Sequence, residues 1–358
     1  MMKRLLLCLS SLILAGGVCG GPLLLRLYFL RGGHLIWFAS WIQTAGFPFI
    51  LIPLFISYHR RRSGGKSPEK AKLFQITPFL SVCAASIGIL VGVDNYLYSY
   101  GVAKLPVSTS SLIIATQLAF TAGFAFLLVK QQFTAYSVNA VVLLTLGAVV
   151  LGVHAGSDRP AGESEKGYVV GFVVTVAAAG IYGLILPLVE LSYRKGKQSA
   201  SFDLVLEFQL IMGFVATLFA TIGMLINKDF QAIGREAREY ELGLGKYYGL
   251  AVASSMTWQL FFVGAVGVIS YGSSLLSGVI ITVLLPVTEV FAVVFYHEKF
   301  QAEKGISLFL SIWGFVSYSY GEIKHINSLK PAAAAAAHSS LSSSLSSTAV
   351  APSSRPSV

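Results

Sequence analysis

Long apolar runs, separated by short clusters of charged and turn-forming residues, set the pattern along this chain. Ten can be marked, near 5–25, 35–57, 78–101, 107–129, 137–154, 168–190, 204–226, 247–268, 273–296 and 305–322. Each is close to the roughly 20 residues that carry a helix across a bilayer core. Backbone amides in hydrocarbon must be satisfied within the membrane, which leaves helices or a closed barrel. The period-two alternation of a barrel strand does not run through these segments. The pattern therefore predicts an all-α membrane protein with ten transmembrane helices. Breaks fall at Arg26 and Arg31, at His59-Arg60-Arg61-Arg62, at Lys104-Leu105-Pro106 and at Lys130-Gln131-Gln132. The first run follows Met1-Met2-Lys3-Arg4 and imitates a signal peptide, but it continues through Gly20-Gly21-Pro22 to Phe29 and reads as a retained span.

Composition agrees with that picture: 55% of the residues are hydrophobic and 12% charged, against about 25% charged in soluble domains. The net charge of +10 would suggest a nucleic-acid partner until its distribution is traced. With ten spans both termini share one side, and fifteen of the 26 basic residues fall there, most densely in 58–72 and 194–203. The positive-inside rule puts that side in the cytosol. The charge is thus topological, and no nucleic-acid partner is expected. Cys8 and Cys19 lie about 16 Å apart along one helix, too far for a disulfide. The six histidines lack the i, i+4 spacing of a helical zinc site, so no metal or other cofactor is expected. Residues 331–358, rich in Ala and Ser, read as a disordered cytosolic tail.

An internal repeat is visible. At an offset of 163, Gly101 meets Gly264 and Ser110-Ser111-Leu112 meets Ser273-Ser274-Leu275; at 167, Phe133 meets Phe300 and Gly147 meets Gly314. A repeat of five spans has an odd number of crossings, so its second copy is inserted upside down. That is the inverted-repeat plan of secondary transporters, whose substrates bind near the midplane between the halves. The expected units are 1–154, a first five-helix repeat, and 155–330, a second.

Specific strings add to this. Cys19-Gly20-Gly21-Pro22-Leu23, Asp94-Asn95-Tyr96-Leu97-Tyr98-Ser99-Tyr100-Gly101, Leu105-Pro106-Val107-Ser108-Thr109-Ser110-Ser111, Leu186-Pro187-Leu188-Val189-Glu190, Leu285-Pro286-Val287-Thr288-Glu289-Val290 and Glu298-Lys299-Phe300-Gln301-Ala302-Glu303-Lys304-Gly305 occur in order. With Trp313-Gly314-Phe315-Val316-Ser317-Tyr318 they make residues 10–325 resemble the plant purine permeases of the drug/metabolite transporter superfamily. The resemblance implies ten helices in two inverted repeats, a plasma-membrane location, and proton-coupled uptake of adenine and related purines, cytokinins included. It also leaves room for pyridoxine-like compounds and alkaloids.

A flat heterocycle needs a stacking face and polar groups aimed at its edge. Asn95 and Tyr96 in the third run, and Trp258 and Gln259 at the equivalent place in the eighth, each combine an amide with a ring. Gln117, beside Thr116 in the fourth run, and Tyr182 in the sixth are further candidates. The same residues would also serve as packing aromatics and interhelical amides. Carboxylates inside a membrane are costly and often relay protons; Glu289, Asp94 and Glu190 are the candidates, with a structural hydrogen bond the competing role for each. A carrier of phosphorylated solutes would want Arg or Lys at its site, and the basic residues nearest the spans, Arg26, Lys104 and Lys130, are placed at their ends. No nucleophile with a base marks an enzyme, and a non-transporting receptor would need neither the repeat nor the internal acids.

Overall fold

The computed structural model describes residues 2–64, 74–105, 110, 113–114, 116–131, 133–153, 165–198, 201–296 and, with gaps, 302–324. In chain order the helices are α1 (Met2–Leu30), α2 (Ile36–Ala45), a 3-10 turn (Phe47–Ile50), α3 (Leu51–Gly64), α4 (Pro78–Lys104), α5 (Gln117–Val129), α6 (Ala135–Val153), α7 (Glu165–Gly196), α8 (Phe202–Ile226), α9 (Asp229–Glu239), α10 (Leu244–Tyr271) and α11 (Ser274–Tyr296). A further helical stretch covers 312–321. No strand occurs among the described residues.

Six segments are long and apolar enough to cross a membrane: Lys3–Leu30, Ile36–Ser63, Pro78–Lys104, Lys166–Gly196, Phe202–Ile226 and Leu244–Tyr271. Gln117–Val129, Ala135–Gly147 and Ser274–Thr288 are shorter apolar helices. The second span is not continuous. Pro48, without an N–H, lies two residues after Gly46, and the chain passes through a 3-10 turn before α3. Gly46 sits against the Ser255 carbonyl of α10, where a side chain has no room. In the fourth run Ser110, Ile113 and Ile114 are helical and Thr116 forms a turn before the helix at Gln117; the Thr116 hydroxyl turns back onto the Ile113 carbonyl at 2.6 Å, competing for a backbone acceptor just before that helix.

Apolar burial does not drive helices together in lipid, so close backbone packing has to. α1 lies along α10, with Gly17 against the Phe261 backbone and Gly264 against the Leu14 backbone. Gly88 and Gly92 of α4 face Met212 and Phe219 of α8. α4 also packs on α7, α5 on α7, and α11 on α1 and α5. The resulting core runs through Leu14, Leu80, Leu204, Phe208, Val268 and Ile281.

The charged segment 227–246, between the seventh and eighth apolar runs, contains the amphipathic helix α9. Glu236 fastens it across one end of the bundle. Its carboxylate accepts bonds from Tyr28 Oη at 2.6 Å, Tyr247 Oη at 2.8 Å and the His34 amide at 2.8 Å. Asp229 accepts from the Phe38 amide at 3.2 Å and Asn227 Nδ2 at 2.6 Å, and burial pushes its carboxyl above the usual range.

Candidate functional site

A cavity of about 100 Å³ lies among α1, α2, α4, α5, α7, α10 and α11. That is several times the ~10–15 Å³ needed to hold one water on this measure, so the space admits a small solute.

Its walls are aromatic. Trp258 stands edge-on to Tyr98, with centroids 6.0 Å apart, and edge-on to Phe261 at 5.3 Å. Tyr182 comes across from α7 to Phe261 at 5.7 Å. Apolar faces from Val18, Pro22, Ile281 and Leu285 complete the wall. The helices place these rings by close approach: Gly21 of α1 lies flat against the Trp258 indole, which fixes the ring plane.

Six of the residues that line this chamber carry a buried polar atom without a partner among the described residues. Asp94 Oδ1, Asn95 Nδ2, Gln117 Nε2, Trp258 Nε1, Ser110 Oγ and Gln43 Oε1 are buried and find no hydrogen-bond partner among the described residues. Their residues are 6%, 3%, 4%, 5%, 3% and 1% exposed, respectively. Gln43 is anchored from its other side, with Nε2 donating to Ser99 Oγ at 2.8 Å. An unpaired buried polar group costs about 1–3 kcal/mol, and folded proteins tolerate few of them. Six around one chamber, some donors and some acceptors, form a template for the edge of a polar planar solute.

Of the residues expected from sequence, Asn95, Gln117, Tyr182, Trp258 and Asp94 line this cavity. Tyr96 and Gln259 do not. Tyr96 stacks on Trp37 with ring centroids 4.0 Å apart, and Gln259 donates to the Thr44 carbonyl at 3.2 Å, tying α10 to α2. Glu190 also lies outside it. One oxygen pairs with Arg194 at 2.6 Å and the other accepts from the Ser274 amide at 2.8 Å, at the first residue of α11. There it serves the N-terminal dipole of α11. The side chain of Glu289 falls outside the described residues. Gln43 and Phe261 went unnoticed in the sequence, although an amide inside an apolar run was the signal that singled out Gln117. Arg26, placed at a helix end by the sequence reading, lines the cavity, because α1 continues past it to Leu30.

Residues 5–328 match a family model described as purine nucleobase transmembrane transport. The chain belongs to the purine permease family. Purine permease 3 of Arabidopsis thaliana is 57% identical, over 90% of this chain and 92% of that protein. Purine permease 2 of the same plant is 51% identical, over 90% and 93%. A crystal structure of a protein 16% identical in sequence shares the fold, with a TM-score of 0.57 over 87% of this chain and 96% of that one. As a purine permease the chain is a multi-pass membrane transport protein and not an enzyme, so the cavity has only to bind and release.

Proposed function

We propose that this permease imports adenine and N-substituted purines, cytokinins among them, by proton-coupled alternating access through the cavity beside Trp258. The observation that carries the reading is the set of unpaired polar atoms around an aromatic chamber. A purine presents ring nitrogens as acceptors and N–H groups as donors around one flat edge. Asn95 Nδ2, Gln117 Nε2 and Trp258 Nε1 suit the acceptors; Asp94 Oδ1 and Gln43 Oε1 suit the donors. Trp258, Tyr98 and Phe261 supply faces for stacking.

Asp94 is the carboxyl that lines the cavity among the described residues, and a buried acid that gains a proton on one side and loses it on the other couples transport to the gradient. Glu289, next in sequence to the cavity-lining Thr288, is the second candidate. Glu190, held by Arg194 and Ser274, is the third.

Ten helices in two inverted repeats, 1–154 and 155–330, with both termini cytosolic at the plasma membrane, complete the proposal. The packing supports it: α4 with α7 and α10 with α1 are pseudo-equivalent pairs, and each approaches through a glycine, Gly101 on Thr175 and Gly264 on Leu14.

The test is uptake of labelled adenine into yeast lacking its own purine carrier, at acidic external pH, with and without a protonophore or excess unlabelled cytokinin. Saturable uptake lost with protonophore and suppressed by cytokinin is expected. No uptake despite surface expression would redirect the substrate towards pyridoxine-like compounds or alkaloids.

A further inference from the structure

A second hollow, a cleft of about 740 Å³, opens at the bundle end that carries Arg4, where the α5–α6 and α10–α11 connections also lie. Its lining includes Ser11, Ala15, Ile280 and Leu284, with Tyr271 and Gln131 at the polar end. Tyr271 Oη and Gln131 Oε1 are buried and lack partners among the described residues.

The two hollows share their walls. On α1, Arg4, Cys8, Ser11 and Ala15 face the cleft and Val18, Pro22 and Arg26 face the central cavity. These positions are three or four apart throughout, so they form one continuous face of one helix. On α11, Leu276, Ile280 and Leu284 line the cleft and Ile281, Leu285 and Thr288 the cavity. Only about 4.5 Å of helix axis separates Ala15 from Val18.

Side-chain packing of α1 on α11 separates them, with little polar bonding across the seam among the described residues. Pro22 has no N–H to offer the carbonyl four residues earlier, which is that of Val18. The Thr288 hydroxyl donates mainly to the Leu284 carbonyl of its own helix at 2.9 Å and only brushes that freed carbonyl at 3.4 Å, a weak contact between α11 and α1. Pro286, two residues before Thr288, interrupts the α11 ladder as well. Both helices can therefore bend at the place where the hollows meet.

We propose that the cleft is the release vestibule of the transport path. The planar N-heterocycle leaves the central cavity by parting α1 from α11 at Val18 and Thr288, and rests against Tyr271 and Gln131 before entering the cytosol. This rests on the transport reading above and adds a second binding position and the route to it.

Ala15→Phe, with Leu12→Phe on the exposed side of α1 as control, tests it by comparing adenine binding in detergent with uptake in vesicles. The expected result is binding within about twofold of wild type and uptake at least tenfold lower in Ala15→Phe alone. Wild-type uptake in that variant overturns the proposal, and so does a copurifying phospholipid displaced by the substitution while uptake is unchanged. Should Ala15→Phe fold poorly, blocking Cys8, which lines the cleft, decides the matter in the Cys19→Ser, Cys83→Ser protein after folding. A bulky maleimide should cut uptake at least fivefold, and unaltered uptake overturns the vestibule. Absence of adenine binding by the wild type would instead count against the central cavity.

Discussion

Trp258 offers both a face and an N–H to the central cavity, and the two contributions separate by substitution. Stacking of a base on an aromatic ring is worth about 1–3 kcal/mol, so Trp258→Ala should raise the half-saturation concentration for adenine by roughly tenfold or more. Trp258→Phe keeps a face and loses the donor, and should fall between the two in the same uptake titration. Asp94→Asn keeps the size of the side chain and removes the titratable proton. If Asp94 carries the coupling proton, this variant should exchange labelled for unlabelled adenine across vesicles yet fail to accumulate it against a gradient. Glu289→Gln, measured beside it, assigns the role to whichever residue separates exchange from accumulation. Sequence pointed to turns of helix that line the cavity, and in each adjacent pair one of the two side chains lines it. Successive helical residues point about 100° apart, so of Asn95 and Tyr96, or Trp258 and Gln259, one member faces the cavity and the other a neighbouring helix.

At the scale of elements, apolar runs were legible because the bilayer demands length and composition together, and nine of the ten segments expected from sequence correspond to apolar helices among the described residues. Their interruptions, at Gly46-Phe47-Pro48 and before Gln117, come from local chemistry that a hydropathy pattern averages away. α9 was hidden for the opposite reason, since its charge reads as loop until its apolar side meets the bundle. Its hold depends on Glu236. Glu236→Ala leaves Tyr28 Oη and Tyr247 Oη without their shared acceptor and should cost about 2–4 kcal/mol, visible as a lowered melting temperature in detergent; Glu239→Ala, nearby and exposed, should not show it. The α1–α10 seam is less forgiving. A valine at Gly264 would have to enter the backbone of Leu14, so Gly264→Val should abolish folded protein by size-exclusion profile, whereas Gly16→Val, in open space, should not.

For the molecule as a whole, what matters is how its two ends are tied. α9 and Glu236 bind one end; at the other, Arg194 donates to the Val129 carbonyl at 2.6 Å while Glu190 holds the start of α11. The first joins α7 to α5 across the proposed repeat boundary and the second joins α7 to α11 within the second repeat; both lie on the same side as the cleft. Glu207 adds a third tie there, accepting from the Gln75 and Ile76 amides at 2.8 and 2.6 Å. A carrier alternates only if each end can open, so the strength of one set relative to the other sets the resting population. Removing a charge-assisted bond worth about 1.5–3 kcal/mol shifts a two-state ratio by roughly 10- to 150-fold. Arg194→Ala should therefore favour the form open on the Arg194 side: efflux of preloaded adenine should quicken relative to uptake, and a maleimide supplied from that side should label Cys8 faster than in wild type. Arg194→Lys, which can still reach the Val129 carbonyl, should restore much of the balance. Equal labelling in all three proteins would mean that the Arg194 contacts only hold the fold, and that the barrier to release lies elsewhere along α1 and α11.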